Sequence, residues 1–175
     1  MGGWSSGASY AAASHNHDGT HDAHVWVSAG AMGLTSGSPS LADVGGDIAP
    51  AWLMDAAGTE IVAGSLYVPP SWTTASFKMY WTNAGAGAGD VVWSASYTDG
   101  LADGDSIATG EATLLGDTAV TAPAESVLDI YTLNAGIAVT ASQALSFRIA
   151  RKGANVADTL VNDAGIVGVL IQRVT

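Results

Sequence analysis

All four histidines of this 175-residue chain lie in one stretch, Ser14-His15-Asn16-His17-Asp18-Gly19-Thr20-His21-Asp22-Ala23-His24. Imidazole nitrogens and carboxylates at this density form the donor set of a divalent transition metal. In an extended strand His15 and His17 project to the same side, and a parallel trimer would gather three such pairs around an axis. Within a single chain, His17, His21 and His24 would instead converge with Asp18 or Asp22 on zinc. The alternative needs no metal: a solvated polar tether, or a segment docked on a neighbouring protein with its imidazoles hydrogen-bonded. His15, His17, His21 and His24 are therefore the candidate metal ligands, and a divalent transition metal is the one cofactor that the residue types point to.

Other chemistry-bearing patterns are weaker. The acidic stretch Asp99-Gly100-Leu101-Ala102-Asp103-Gly104-Asp105 has calcium-loop character, but Leu101 stands where a ligand belongs and Gly110 where the closing glutamate belongs. The run Asn83-Ala84-Gly85-Ala86-Gly87-Ala88-Gly89 resembles a phosphate loop, yet the strand-like Val91-Val92-Trp93 follows it rather than a helix. It reads as a hairpin tip. Gly3-Trp4-Ser5-Ser6-Gly7 matches the spacing of a nucleophile elbow but lacks the strand and helix that make one. The three glutamates have no distinguishing context for glycoside hydrolysis. The six tryptophans offer material for a sugar platform, but Trp52, Trp72, Trp81 and Trp93 sit in or beside strand patterns and are expected to pack in a core or interface. No enzyme is expected.

Composition narrows the classes further. Sixteen acids against five bases give a net charge of −11, which repels a polyanion and excludes nucleic acid as a partner. Hydrophobic residues make up 48% and charged residues 12%, enough apolar material for one folded core. The absence of cysteine removes disulfides and thiolate chemistry. No run of about 18 apolar residues occurs, so no membrane-spanning helix is expected. No basic region precedes an apolar run at the N-terminus, so no signal peptide is expected either.

The elements that must position any site read as strands. Residues 1–24 form an extended, His-rich arm poor in core-forming residues, and residues 25–175 form one β-sandwich domain. Strand-like runs are Val25–Val27, Ala51–Asp55, Glu60–Val68, Ser76–Thr82, Asp90–Thr98, Glu111–Leu115, Ser126–Leu133, Ala144–Arg151 and Gly165–Val174. Phe77, Met79 and Trp81 alternate with Lys78 and Tyr80, and Leu145, Phe147 and Ile149 alternate with Ser146, Arg148 and Ala150. Each pattern marks a strand with one face in a core. Ile166–Ile171 is apolar on both faces, the mark of a central covered strand or of a strand against another subunit. The expected architecture is all-β: a two-sheet antiparallel sandwich, jelly-roll-like, since a single sheet would leave its apolar face uncovered.

The body of the chain resembles a β-domain found in tailed-bacteriophage virion proteins. The features that carry the resemblance are Ser28-Ala29-Gly30-Ala31-Met32, Trp52-Leu53-Met54-Asp55, Val68-Pro69-Pro70-Ser71-Trp72 and Tyr80-Trp81-Thr82. They continue through Gly89-Asp90-Val91-Val92-Trp93, Gly104-Asp105, Phe147-Arg148-Ile149-Ala150-Arg151, Ala157-Asp158-Thr159-Leu160 and Ile166-Val167-Gly168-Val169. The resemblance implies a homotrimeric, non-enzymatic virion protein assembled in the cytoplasm of a host bacterium. The short N-terminal arm favours a capsid decoration protein attached to the major capsid protein or another virion scaffold. A tail fibre or spike domain recognising a host surface glycan or protein is the alternative, and a glycan depolymerase is the enzymatic rival. Four of the five bases fall in the last 28 residues, Lys78 being the exception, and Arg148 or Arg151 paired with Asp158 is the expected contact between subunits.

Overall fold

A computed structural model describes residues 23–44, 49–102 and 113–175. Eleven strands are present among them: β1 (His24–Ser28), β2 (Gly33–Ser36), β3 (Ser40–Val44), β4 (Ala49–Met54), β5 (Thr59–Tyr67), β6 (Thr74–Asn83), β7 (Asp90–Leu101), β8 (Thr113–Thr121), β9 (Leu128–Ala138), β10 (Ala144–Lys152) and β11 (Ala164–Arg173). A single 3₁₀ turn, Ala29–Ala31, links β1 to β2. The strands form two antiparallel sheets. Sheet A runs β3-β4-β11-β6-β9 with β1 also paired to β11, and sheet B runs β2-β5-β10-β7-β8. This is the jelly-roll-like sandwich expected from the sequence. Residues 1–22 of the expected arm lie outside the described residues, and β1 begins at His24.

The core lies between the sheets. Sheet A contributes Phe77, Met79, Trp81, Ile166, Val169 and Ile171, and sheet B contributes Val62, Val91, Trp93, Leu145, Phe147 and Ile149, all buried. Aromatic pairs join the layers edge to face: Trp81 and Trp93 at 5.4 Å and 79°, Phe77 and Phe147 at 6.0 Å and 69°. Such pairs contribute about 0.5–1.5 kcal/mol each beyond the area they bury. Trp72 is fully buried and Trp52 is packed against the core, with its indole N–H donating to the Ala29 carbonyl at 2.9 Å.

Strand β11 shows why a run can look apolar on both faces. A register shift against β6 between Ile166 and Gly168 places Val167 in a bulge, so Ile166, Val169 and Ile171 all face the core despite their spacing. On the outer side, Trp26 of β1 lies over Gly168: a Cβ there would meet the Trp26 ring at 2.4 Å. The strand is central to sheet A, and on its outer face its own chain covers Gly168 while Val167 and Leu170 stay half-buried.

Candidate functional site

The one strongly buried charge pair among the described residues is an internal tie. Continuing the alternation of β10 beyond Leu145, Phe147 and Ile149 turns Arg151 inward, where an uncompensated guanidinium would be costly. All five of its N–H donors find acceptors. Nε donates to Asp158 Oδ2 at 3.1 Å and Nη2 to Asp158 Oδ1 at 2.7 Å. Nη1 donates to the carbonyls of Met54 at 2.8 Å and Asn162 at 2.7 Å, and Nη2 also reaches the Leu160 carbonyl. Asp158 Oδ2 accepts the Val92 backbone N–H as well, at 3.0 Å. The side chains of Arg151 and Asp158 are both 0% exposed. The two residues therefore do meet, inside one chain, with both side chains closed off from solvent.

Arg148 behaves differently. It points away from the core, on the outer face of sheet B, where the strand registers build a groove of about 360 Å³. Ser146 stands opposite Ser65 of β5 on one side and Thr98 of β7 on the other. In the next row Arg148 stands between Ala63 and Ser96, and in the row beyond it Ala150 stands between Ile61 and Ser94. Thr35 and Ala31 close the groove at the β2 side and Leu101 at one end of β7. The groove crosses β2, β5, β10 and β7, a span of about 14 Å at the usual inter-strand spacing.

Small side chains keep this floor open, and the core beneath supports it. Gly64 is required there: a Cβ at that position would meet the Phe147 ring at 2.6 Å, so glycine lets the ring pack directly under β5. Tyr67, 62% exposed, flanks the groove in the row of Ala144 and Leu101. Among the described residues no acid pairs with Arg148. The surface thus offers hydroxyl donors and acceptors, one cation and an aromatic edge, which is equipment for holding a polar ligand. The sequence reading singled out Arg148 but none of the serines and threonines around it.

The other sequence candidates are not brought together. His15, His17 and His21 lie outside the described residues, and His24 is exposed at the start of β1, opposite Gln172. Among the described residues no group of three or more His, Cys, Asp or Glu could hold a metal ion. In the acidic stretch, Asp103 and Asp105 lie outside the described residues, while Asp99 accepts the Thr140 hydroxyl at 2.7 Å. The glycine run is tied down as a turn: Asn83 donates to the Gly87 carbonyl at 2.6 Å, and its Oδ1 accepts the Gly85 N–H at 3.1 Å. No helix among the described residues is long and apolar enough to cross a membrane.

No protein-family model matches the sequence, and no curated protein matches it. Solved structures do. The CBM36-1 domain of a multidomain xylanase from the hindgut metagenome of Trinervitermes trinervoides aligns with a TM-score of 0.54 at 12% identity, over 87% of this chain and 98% of that one. A family 36 carbohydrate-binding module in complex with calcium and xylotriose aligns at 0.52 and 13% identity, over 85% and 99%. The C-terminal family 6 module of LamC, a marine laminarinase from Zobellia galactanivorans, aligns at 0.52 and 12% identity, over 86% and 99%. At these identities the likeness is one of fold. Calcium is present in the second structure, and the described residues here gather no group of three or more carboxylates or imidazoles to match it. The expectation of a capsid decoration protein, with a fibre or spike domain as its alternative, is corrected by these matches: they are carbohydrate-binding modules, and none of the three is a virion protein. Gly104-Asp105 lies outside the described residues; the other motifs that carried that resemblance fall on the strands and connections of a jelly-roll-like sandwich, a frame shared by unrelated functions.

Proposed function

We propose that this chain is a glycan-binding module without catalytic activity, and that it holds an extended saccharide across the outer face of sheet B. The observation that carries the reading is the groove itself, about 360 Å³ and open over four strands. Ser65, Ser96, Thr98 and Ser146 supply paired donors and acceptors for sugar hydroxyls. The small residues of the floor let a pyranose ring approach the sheet, and Tyr67 gives apolar surface beside them. Rigid strands hold these groups in place before the ligand arrives, which limits the ordering cost of binding. The likeness of the fold to carbohydrate-binding modules supports the same reading.

The test is affinity electrophoresis of the full chain through a panel of neutral and acidic polysaccharides, beside a Ser146→Trp variant that fills the centre of the groove. Retardation of the wild type by at least one polysaccharide, abolished in the variant while its circular dichroism is unchanged, is the expected result. Equal retardation of both proteins would remove the groove from the account.

A further inference from the structure

We infer that the ligand of the sheet B groove carries carboxylate groups, and that Arg148 is the residue that holds them. This inference rests on the glycan-binding reading and names the class of glycan.

The five bases of the chain go to different places. Arg151 is consumed internally by Asp158 and three carbonyls, and Arg173 donates to the Ser71 hydroxyl at 3.3 Å. Lys78 lies in sheet A. Arg148 and Lys152 remain, four residues apart on β10 and so on the same outward face of sheet B. The chain carries sixteen acids in all. Yet among the described residues every position that the registers place beside Arg148 on β5, β7 and β10 is neutral and, Ile61 aside, small, and Asp117 of β8, opposite Ser94, stands one strand further out. The cation therefore stands at one end of the groove, beside Ser146, with its donors unspent among the described residues.

Guanidinium chemistry selects the ligand. The planar fork of N–H donors matches a carboxylate by two parallel hydrogen bonds, while the hydroxyls of Ser96 and Ser146 flank it for the ring oxygens of the same sugar. A neutral glycan lying over the guanidinium would leave its charge unmatched, whereas a uronic acid residue neutralises it. The net charge of −11 opposes a polyanion at long range, but salt confines that repulsion to about 8 Å. Contact at Arg148 is what decides.

The experiment titrates the full chain and Arg148→Gln calorimetrically with polygalacturonate, alginate and glucuronoxylan, each beside its carboxyl-reduced form, with dextran sulfate and dextran as a further pair. The wild type is expected to bind at least one carboxylated member about tenfold more tightly than its reduced form, in line with a hydrogen bond to a charged group. Arg148→Gln should erase that preference, so that the carboxylated chain and its reduced form bind the variant equally. Equal binding within every pair overturns the carboxylate assignment and leaves the glycan-binding reading standing. A preference for dextran sulfate over every carboxylated chain also overturns it, in favour of a sulfate ester. Failure to bind any polysaccharide overturns both.

Discussion

The guanidinium of Arg151 grips the carboxylate of Asp158 through two hydrogen bonds, 2.7 and 3.1 Å long, with both side chains closed off from solvent. Together with the carbonyls of Met54, Leu160 and Asn162, the pair fastens the connection between β10 and β11 to the ends of β4 and β7. Its energetic role follows from burial. Removing one partner strands the other charge in a medium that solvates it poorly.

Arg151→Met and Asp158→Asn are therefore each expected to cost about 3–5 kcal/mol in urea denaturation. The double variant Arg151→Met with Asp158→Asn should cost well under the sum of the two, because it leaves no orphaned charge. Additive losses would show that the pair is not coupled.

Gly168 and Trp26 make the second prediction. A Cβ on residue 168 would sit 2.4 Å from the Trp26 ring and 2.8 Å from the Val27 carbonyl oxygen. Gly168→Ala should destabilise the fold by about 1–3 kcal/mol, as overpacking does, and shift the Trp26 fluorescence. Trp26→Ala in the same chain should recover part of the loss but not all, since the carbonyl remains. A silent Gly168→Ala would contradict the packing described.

Glu60 supplies a third. It is 4% exposed and accepts two backbone N–H groups, from Ser38 at 2.9 Å and Asp55 at 2.7 Å, joining the β2–β3 and β4–β5 connections. Glu60→Gln keeps the shape but turns an NH₂ toward one of those donors, and should cost about 1–3 kcal/mol by chemical denaturation. A loss as small as that of an exposed substitution would show that these two bonds contribute nothing net.

The groove supplies the fourth. Ser146→Trp projects into solvent-facing space above a strand whose core face is untouched, so its stability should change by no more than about 0.5 kcal/mol while glycan binding is lost. Thermal melts recorded beside the binding assay separate the two effects. A large drop in melting temperature would mean that the outer face is part of the fold's support.

Much of this architecture is legible in the sequence where a strand has one wet and one dry face. The alternation of Phe77, Met79 and Trp81, and of Leu145, Phe147 and Ile149, reports burial directly, and both runs are strands with those residues in the core. Strands β2 and β3 leave no such trace, because Gly33–Ser36 is exposed throughout and Ser40–Val44 buries no residue fully. Strand β8 extends to Thr121, beyond the expected Leu115, since its largely exposed residues carry little alternation.

The groove is less legible. Ser65, Ser96, Ser146 and Arg148 are each unremarkable outward residues, and only the register of β5, β10 and β7 sets them side by side. That register is a long-range property of the sheet that no local pattern encodes. The pairing of Arg151 with Asp158, seven residues apart across a turn, is suggested by charge alone. Its burial is not, because it depends on the end of β4 arriving from nearly a hundred residues away.

On the reading proposed above, a glycan lies on sheet B at the surface around Arg148 and Ser146. The most direct measurement is a backbone amide spectrum of the labelled chain, recorded as the tightest-binding polysaccharide fragment of the panel is added. Shifts that saturate and cluster at Ser65, Ser96, Thr98, Ser146 and Arg148 are predicted. Shifts confined to sheet A around Trp26, Tyr80 and Ile130 would contradict the account, as would a spectrum unmoved by any fragment.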